Sequence, residues 1–111
     1  MARTEEKLAD QKCVPCHSDM PPLKKEEAAD LARQIPGWTL KEKEIEREFR
    51  FKNFKEAINF INEVAEIANK EDHHPDIFIS YSKVKLTLST HNIGGLSKND
   101  FILAAKVNEL L

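Results

Sequence analysis

The chain has 111 residues, of which 41% are hydrophobic and 32% are charged. That length suits one domain with one core, and the composition is typical of a folded globular protein. The formal net charge is −2 and no basic cluster is longer than a pair, which disfavours a nucleic-acid-binding protein. No apolar run has the length of a membrane-spanning helix, and residues 1–10 are charged where an export signal would be apolar. We therefore expect a cytoplasmic protein that binds neither nucleic acid nor membranes.

Residues 1–22 contain both cysteines but no sustained apolar period, which predicts a lead-in that is partly ordered and partly frayed. The folded domain is predicted to span residues 23–111. Within the lead-in, Cys13, Cys16 and His17 have the spacing of a c-type haem attachment motif, but the missing export signal argues against that interpretation. Two alternatives stay open: a reduced cysteine pair, or a zinc site to which these three residues supply three of the four ligands.

Three helices are predicted, of which the first two have the apolar period of amphipathic helices. The first covers residues 24–35 and ends where proline and glycine follow. The second begins after Asn53, which is a predicted N-cap, and extends to about residue 69. The third covers residues 99–110. We expect the second helix to be the central packing element, because it has the widest apolar face.

Strands are predicted between these helices. Residues 39–51 alternate in polarity and are interpreted as two short strands, while residues 77–81 and 83–90 are rich in β-branched and aromatic side chains. The connections between paired strands are too short for parallel crossovers. The order α-β-β-α-β-β-α therefore predicts an α+β fold, with a four-stranded antiparallel sheet and three helices packed on one face.

Three of the four histidines, His73, His74 and His91, lie at the ends of predicted elements, where side chains converge on a pocket. In the last strand, the alternation of side chains turns His91 away from the apolar face. Histidine titrates near neutral pH, so a pair can protonate a leaving group and accept a proton in one turnover. The pattern suits a dehydration or an isomerisation, although a chance cluster of loop histidines would give the same spacing.

Further motifs surround these histidines in a characteristic order. They are His73-His74-Pro75, Tyr81, Lys83-Val84, Thr87-Leu88-Ser89-Thr90-His91, Gly95-Leu96-Ser97 and Asp100, preceded by Gln34-Ile35-Pro36-Gly37-Trp38 and by Phe51, Phe54 and Ala57. This set resembles the signature of the pterin-4a-carbinolamine dehydratase family. The resemblance covers about residues 23–111.

The resemblance implies a lyase that removes the 4a-hydroxyl from a 4a-hydroxytetrahydropterin and gives the quinonoid dihydropterin for recycling, with no metal or redox cofactor. By position, His73 and His91 would together supply the acid and the base, with their individual roles open, and His74 would mainly orient the pterin. The neighbouring residues would bind the substrate: Glu71, Asp72, Pro75, Ser89 and Thr90.

The chain departs from the family pattern in two places. Asn69 stands where many members carry Glu, Asp or Lys, so Glu71 is a candidate for orienting a histidine instead. Ile77 stands where animal members carry an aromatic residue, which leaves the pterin selectivity open. Asp100 belongs to the family pattern, yet its place three residues after Ser97 predicts a structural helix cap near the site.

Members of this family form dimers that pair into tetramers, and animal members also act as dimerisation partners of a transcription factor. We therefore expect a homodimer or a homotetramer. Two competing functions remain: a pterin-binding or protein-dimerisation module without dehydratase activity, and a metal-binding protein that uses Cys13, Cys16 and His17.

Overall fold

The computed structural model describes residues 7–15 and 19–111. The helices and strands in these residues are α1 (Lys25–Ala32), β1 (Thr39–Leu40), β2 (Ile45–Arg50), α2 (Phe54–Glu71), β3 (Asp76–Ser80), β4 (Lys83–Leu88) and α3 (Lys98–Asn108). Short 3₁₀ turns at Leu8–Asp10 and His91–Ile93 complete the set. The predicted element order and the α+β class are confirmed. In this part of the chain, no helix combines the length and the apolar character that crossing a membrane requires.

The strands form one antiparallel sheet in the order β1-β2-β4-β3. In the central pair, Ile45 lies opposite Leu88 and Phe49 lies opposite Val84, and all four side chains are buried. Because side chains alternate along a strand, the same alternation presents charged and polar residues on the other face. The helices cover the apolar face, as the sequence predicted, and β3 is left as an edge strand.

The second helix, α2, is 18 residues long and packs its apolar face on the sheet. The side chain of Asn53 accepts a hydrogen bond from the backbone N–H of Glu56 at 2.9 Å, so the predicted N-cap is confirmed. Phe60 lies on the buried face of α2, and its ring centroid is 4.7 Å from that of Phe49 in β2. The two rings are tilted at 45° to each other, and their contact anchors the helix to the sheet.

The C-terminal end of α2 sets the position of the histidine pair. The helix ends at Glu71, two residues beyond its predicted end, and Asp72 follows with a φ of 52°. A left-handed residue is a common way to end a helix, and an aspartate tolerates this conformation better than most residues do. The backbone N–H of His73 then donates to the carbonyl oxygen of Ala68. His73 is therefore fixed directly at the end of a long, packed helix.

The N-terminal segment (residues 7–15) packs on the same core. Leu8 is only 3% exposed and belongs to the core cluster, and the Nζ of Lys106 in α3 donates to the carbonyl oxygen of Ala9 at 2.8 Å. The packed structure thus begins upstream of Leu23, the predicted start of the fold. A single buried leucine in a charged stretch produces no apolar period, which is why the sequence pattern did not indicate it.

Candidate active site

A buried carboxylate, Asp100, connects the elements that carry the predicted site. It lies in the first turn of α3 and is 0% exposed. Its Oδ2 accepts hydrogen bonds from the backbone N–H of Ser97 and from the hydroxyl of Thr90, each at 2.9 Å. Its Oδ1 lies 2.6 Å from Nε2 of His73. Three donors therefore satisfy a carboxylate that would otherwise be costly to bury.

The positions of the protons around Asp100 follow from the number of donors. An ionised carboxylate only accepts hydrogen bonds, so Thr90 uses its one hydroxyl proton on Asp100 and accepts from the hydroxyl of Ser97, 2.7 Å away. By the same rule, His73 donates its Nε2–H to Asp100. Neutral His73 is thereby held in the tautomer with the proton on Nε2, and Nδ1 is the ring nitrogen left as an acceptor.

His73 also forms part of the wall of a cleft of about 380 Å³. This volume is in the range of small-molecule binding sites. The side chain of His73 is 12% exposed, so one part of its ring is accessible while the other contacts Asp100. Asp72, Thr90 and Asn92 line the same cleft, together with residues 13–15 of the N-terminal segment. The cleft thus combines the ring of His73 and the carboxylates of Glu71 and Asp72 with several other hydrogen-bonding groups.

His74 is not among the described residues that line this cleft. Its side chain is exposed, and its Nε2 lies 3.1 Å from Oδ1 of Asn69. Asn69, which departs from the family pattern, therefore contacts His74. Because its side chain is an amide, it offers a hydrogen bond but no charge. His74 sits beside His73 in sequence but has a separate environment.

His91 is exposed and opens the 3₁₀ turn that follows β4. It is also outside the described lining of the cleft, but it comes directly after Thr90, which is buried and contacts Asp100. Strand alternation predicts this exposure, although the strand itself ends at Leu88. Because Asp100 contacts both His73 and Thr90, one carboxylate holds the end of α2 and the end of β4 together.

Glu71 has different partners from those the sequence suggested. Its Oε1 accepts a hydrogen bond from the backbone N–H of Cys13 at 2.9 Å, and its Oε2 lies 3.9 Å from Nζ of Lys106. The carboxylate in contact with a histidine is instead Asp100, which also makes the predicted cap contact. Glu71 thus lines the cleft, while its carboxylate holds the N-terminal segment.

The remaining predicted residues lie near the cleft without lining it in the described structure. Pro75 is in the loop between α2 and β3, and Ser89 directly follows β4; both are partly exposed. Asn92 and Asn99 line the cleft but were missed, because the sequence offered no chemical reason to single out either amide.

The alternative metal site involves Cys16 and His17, which lie outside the described residues. Among residues 7–15 and 19–111, no three His, Cys, Asp or Glu side chains converge in a way that would hold a metal ion. Cys13 is half-buried, and its Sγ lies 3.7 Å from the carbonyl oxygen of Asn99.

Comparisons with known proteins agree on one family. The model of the family described as "Pterin 4 alpha carbinolamine dehydratase" matches residues 21–110. A Rubrobacter xylanophilus protein is 49% identical over 93% of this chain and 97% of its own length. A Nitrosospira multiformis protein is 49% identical over 99% of this chain and 97% of its own length, so that alignment includes the N-terminal segment. Both carry the name "Putative pterin-4-alpha-carbinolamine dehydratase".

A solved structure has the same fold. The crystal structure described as "transcriptional coactivator/pterin dehydratase from Brucella Melitensis" superposes with a TM-score of 0.77 and is 35% identical. The superposition covers 80% of this chain and 97% of that one. The family match and the whole-length relatives lead to one conclusion: the chain belongs to the pterin-4-alpha-carbinolamine dehydratase family.

Proposed function

We propose that the protein is a hydro-lyase that dehydrates a 4a-hydroxytetrahydropterin to the quinonoid dihydropterin, as part of pterin recycling. The observation that carries this proposal is the contact between His73 and the buried Asp100 at the wall of a cleft of about 380 Å³. Such a contact presents an oriented imidazole to a small ligand. Membership of the family supports a pterin as the ligand.

The reaction breaks the bond between C4a and the hydroxyl oxygen and removes the proton from N5, so that a C4a=N5 double bond forms and water leaves. It therefore needs an acid at the hydroxyl and a base at N5. His73 suits the base, because its Nε2–H is donated to Asp100 and its Nδ1 can accept the proton. The imidazolium that forms would face a carboxylate oxygen 2.6 Å from its Nε2.

His91 is the proposed acid. Its exposed position next to Thr90 allows it to donate a proton to the departing hydroxyl and to regain one from water. His74 is proposed to orient the pterin, with its own ring held by Asn69. Substrate contacts by Glu71, Asp72, Pro75, Ser89 and Thr90 stay predictions.

The test is a stopped-flow assay with 4a-hydroxytetrahydropterin generated by a pterin-dependent aromatic amino-acid hydroxylase. We expect the wild-type chain to accelerate the dehydration, and the double variant His73→Ala with His91→Ala to abolish that acceleration. A matched control changes Asp30→Ala in α1 and Arg33→Ala directly after it; these side chains are 75% and 83% exposed. Full activity in the double histidine variant would contradict the assignment.

We also propose that the protein assembles into dimers or tetramers through the β3 edge. Ile77 and Phe78 on this edge strand are 40% and 59% exposed. An apolar sheet edge with unpaired backbone groups favours pairing with another chain. The same surface supports the second candidate function, a dimerisation module, since the Brucella melitensis relative is described as a transcriptional coactivator as well as a dehydratase. Light scattering would show the assembly, and an assembled but inactive wild type would favour the module. The cytoplasmic location and the lack of a nucleic-acid partner stay predictions.

A further inference from the structure

The N-terminal segment is attached to the protein by side chains of α2 and α3. Glu71, whose side chain is 7% exposed, accepts a hydrogen bond from the backbone N–H of Cys13 at 2.9 Å. Asn99, which is 5% exposed, makes two bonds to the backbone of Val14: its Oδ1 accepts from the N–H at 2.9 Å, and its Nδ2 donates to the carbonyl oxygen at 2.6 Å. Buried polar side chains thus fix the backbone of residues 13 and 14.

These attachments place the segment at the active site. Residues 13–15 line the cleft that His73 and Thr90 also line. Asn99 and Asp100 are neighbours in the first turn of α3; the first holds Val14, and the second contacts His73. One helical turn therefore sets the position of the N-terminal segment relative to the histidine.

We infer that residues 13–15 form a wall of the active site that contacts the substrate, an inference that rests on the proposed function. Asn99 and Glu71 are then positioning residues, because they act through that wall. The family match begins at residue 21, so this wall comes from outside the matched domain. The side chain of Val14 is 61% exposed, an apolar group suited to contact with a flat heterocyclic ring. The segment therefore contributes to the affinity for the pterin and not to the proton transfers.

Two variants test whether residues 13–15 contact the substrate, and both are chosen to leave the fold intact. Asn99→Asp keeps an acceptor for the Val14 N–H but sets a carboxylate against the Val14 carbonyl oxygen, and an acidic residue remains favourable in the first turn of a helix. Val14→Ser removes the apolar contact at an exposed position. The control is Asn62→Asp on the exposed side of α2, which makes the same chemical change far from the cleft.

Three quantities are measured: kcat and KM for dehydration, the dissociation constant of a stable 7,8-dihydropterin, and hydrogen exchange in residues 7–15. We expect both variants to raise KM and the dissociation constant about tenfold, the size of a lost apolar contact in a binding site. We expect kcat to change less than about threefold, because the proton-transfer groups are intact. Hydrogen exchange should rise in Asn99→Asp only.

The outcomes are distinguishable. If the wild type is active and binds the dihydropterin, but both variants retain wild-type KM and affinity, the wall does not contact substrate and the inference is wrong. If kcat falls at unchanged KM, the segment acts in the chemical step and the inference is equally wrong. A wild type that neither dehydrates nor binds a pterin would contradict the proposed function itself, and this inference with it.

Discussion

Replacing Asp100 by asparagine is the sharpest perturbation of the site. The variant Asp100→Asn keeps the shape of the side chain but has one acceptor oxygen and one NH₂ group in place of two acceptor oxygens. The two oxygens of Asp100 receive three donors, from His73, Thr90 and Ser97. Whichever way the amide is turned, its NH₂ group faces a former donor.

The two orientations have different consequences. If the NH₂ group faces His73, Nε2 has to become the acceptor, and the proton moves to Nδ1, where the substrate needs a base. If it faces Thr90 and Ser97, a buried backbone N–H loses its partner, which costs about 1–3 kcal/mol of folding free energy. Loss of an oriented general base typically reduces a rate by about 10² to 10⁴. The first orientation keeps the buried Ser97 N–H paired and is therefore favoured, so we expect kcat/KM to fall at least about 10²-fold. A destabilisation of about 1–3 kcal/mol would instead mark the second orientation.

The assay is stopped-flow dehydration together with urea denaturation, and the matched control is Asp30→Asn on the exposed face of α1. Circular dichroism at the assay temperature establishes that the variant is folded. A folded Asp100→Asn protein that retains kcat/KM within about twofold of wild type and loses less than about 1 kcal/mol of stability would contradict this expectation, because His73 would then have changed tautomer without losing activity.

Three further predictions concern the fold and the assembly. Leu8→Ala should lower the free energy of unfolding by about 2 kcal/mol or more, because it leaves a cavity at a buried site. A loss below about 0.5 kcal/mol in urea denaturation would show that the N-terminal segment is not part of the core. Hydrogen bonds from Lys41 and Lys85 hold the pKa of Glu46 below its ordinary value of 4.5. The ionised carboxylate therefore stabilises the fold above pH 4.5, and this stabilisation is lost as the pH falls through the lower pKa of the folded state. Glu46→Gln should therefore lower Tm at neutral pH but not in strong acid, and an equal loss at both would contradict the ion-pair account. Phe78→Lys should reduce the mass measured by light scattering, whereas an unchanged mass would place the interface elsewhere.

The parts of the fold that were predictable are those with local causes. Asn53 caps α2 through a contact three residues away, and the alternation of Val84, Leu86 and Leu88 is visible in the sequence alone. The docking of the N-terminal segment was not predictable, because it depends on Leu8 and on side chains from the other end of the chain. Such contacts leave no periodic pattern.

The sequence predicted several residues of the candidate site, but not which of them contact each other. The histidines and Asp100 all belong to the recognised motifs, yet the local pattern explained Asp100 fully as a helix cap. Its contact with His73 joins residues 27 positions apart, and only the packing of α2 against α3 creates it. The contact between Glu71 and Cys13 was not predictable for the same reason, because it joins residues 58 positions apart.

We propose that Asp100 fixes His73 with Nε2 protonated, so that Nδ1 is available to the pterin. ¹⁵N NMR of histidine-labelled protein measures this directly, because the two ring nitrogens of neutral histidine have distinct shifts in each tautomer. His73→Gln provides the assignment of the signals. We predict a protonated Nε2 and an unprotonated Nδ1 in the free protein, with the Nδ1 signal shifting when a stable 7,8-dihydropterin binds. A protonated Nδ1 with an unprotonated Nε2, or an Nδ1 signal that does not respond to bound pterin, would contradict these roles of Asp100 and His73.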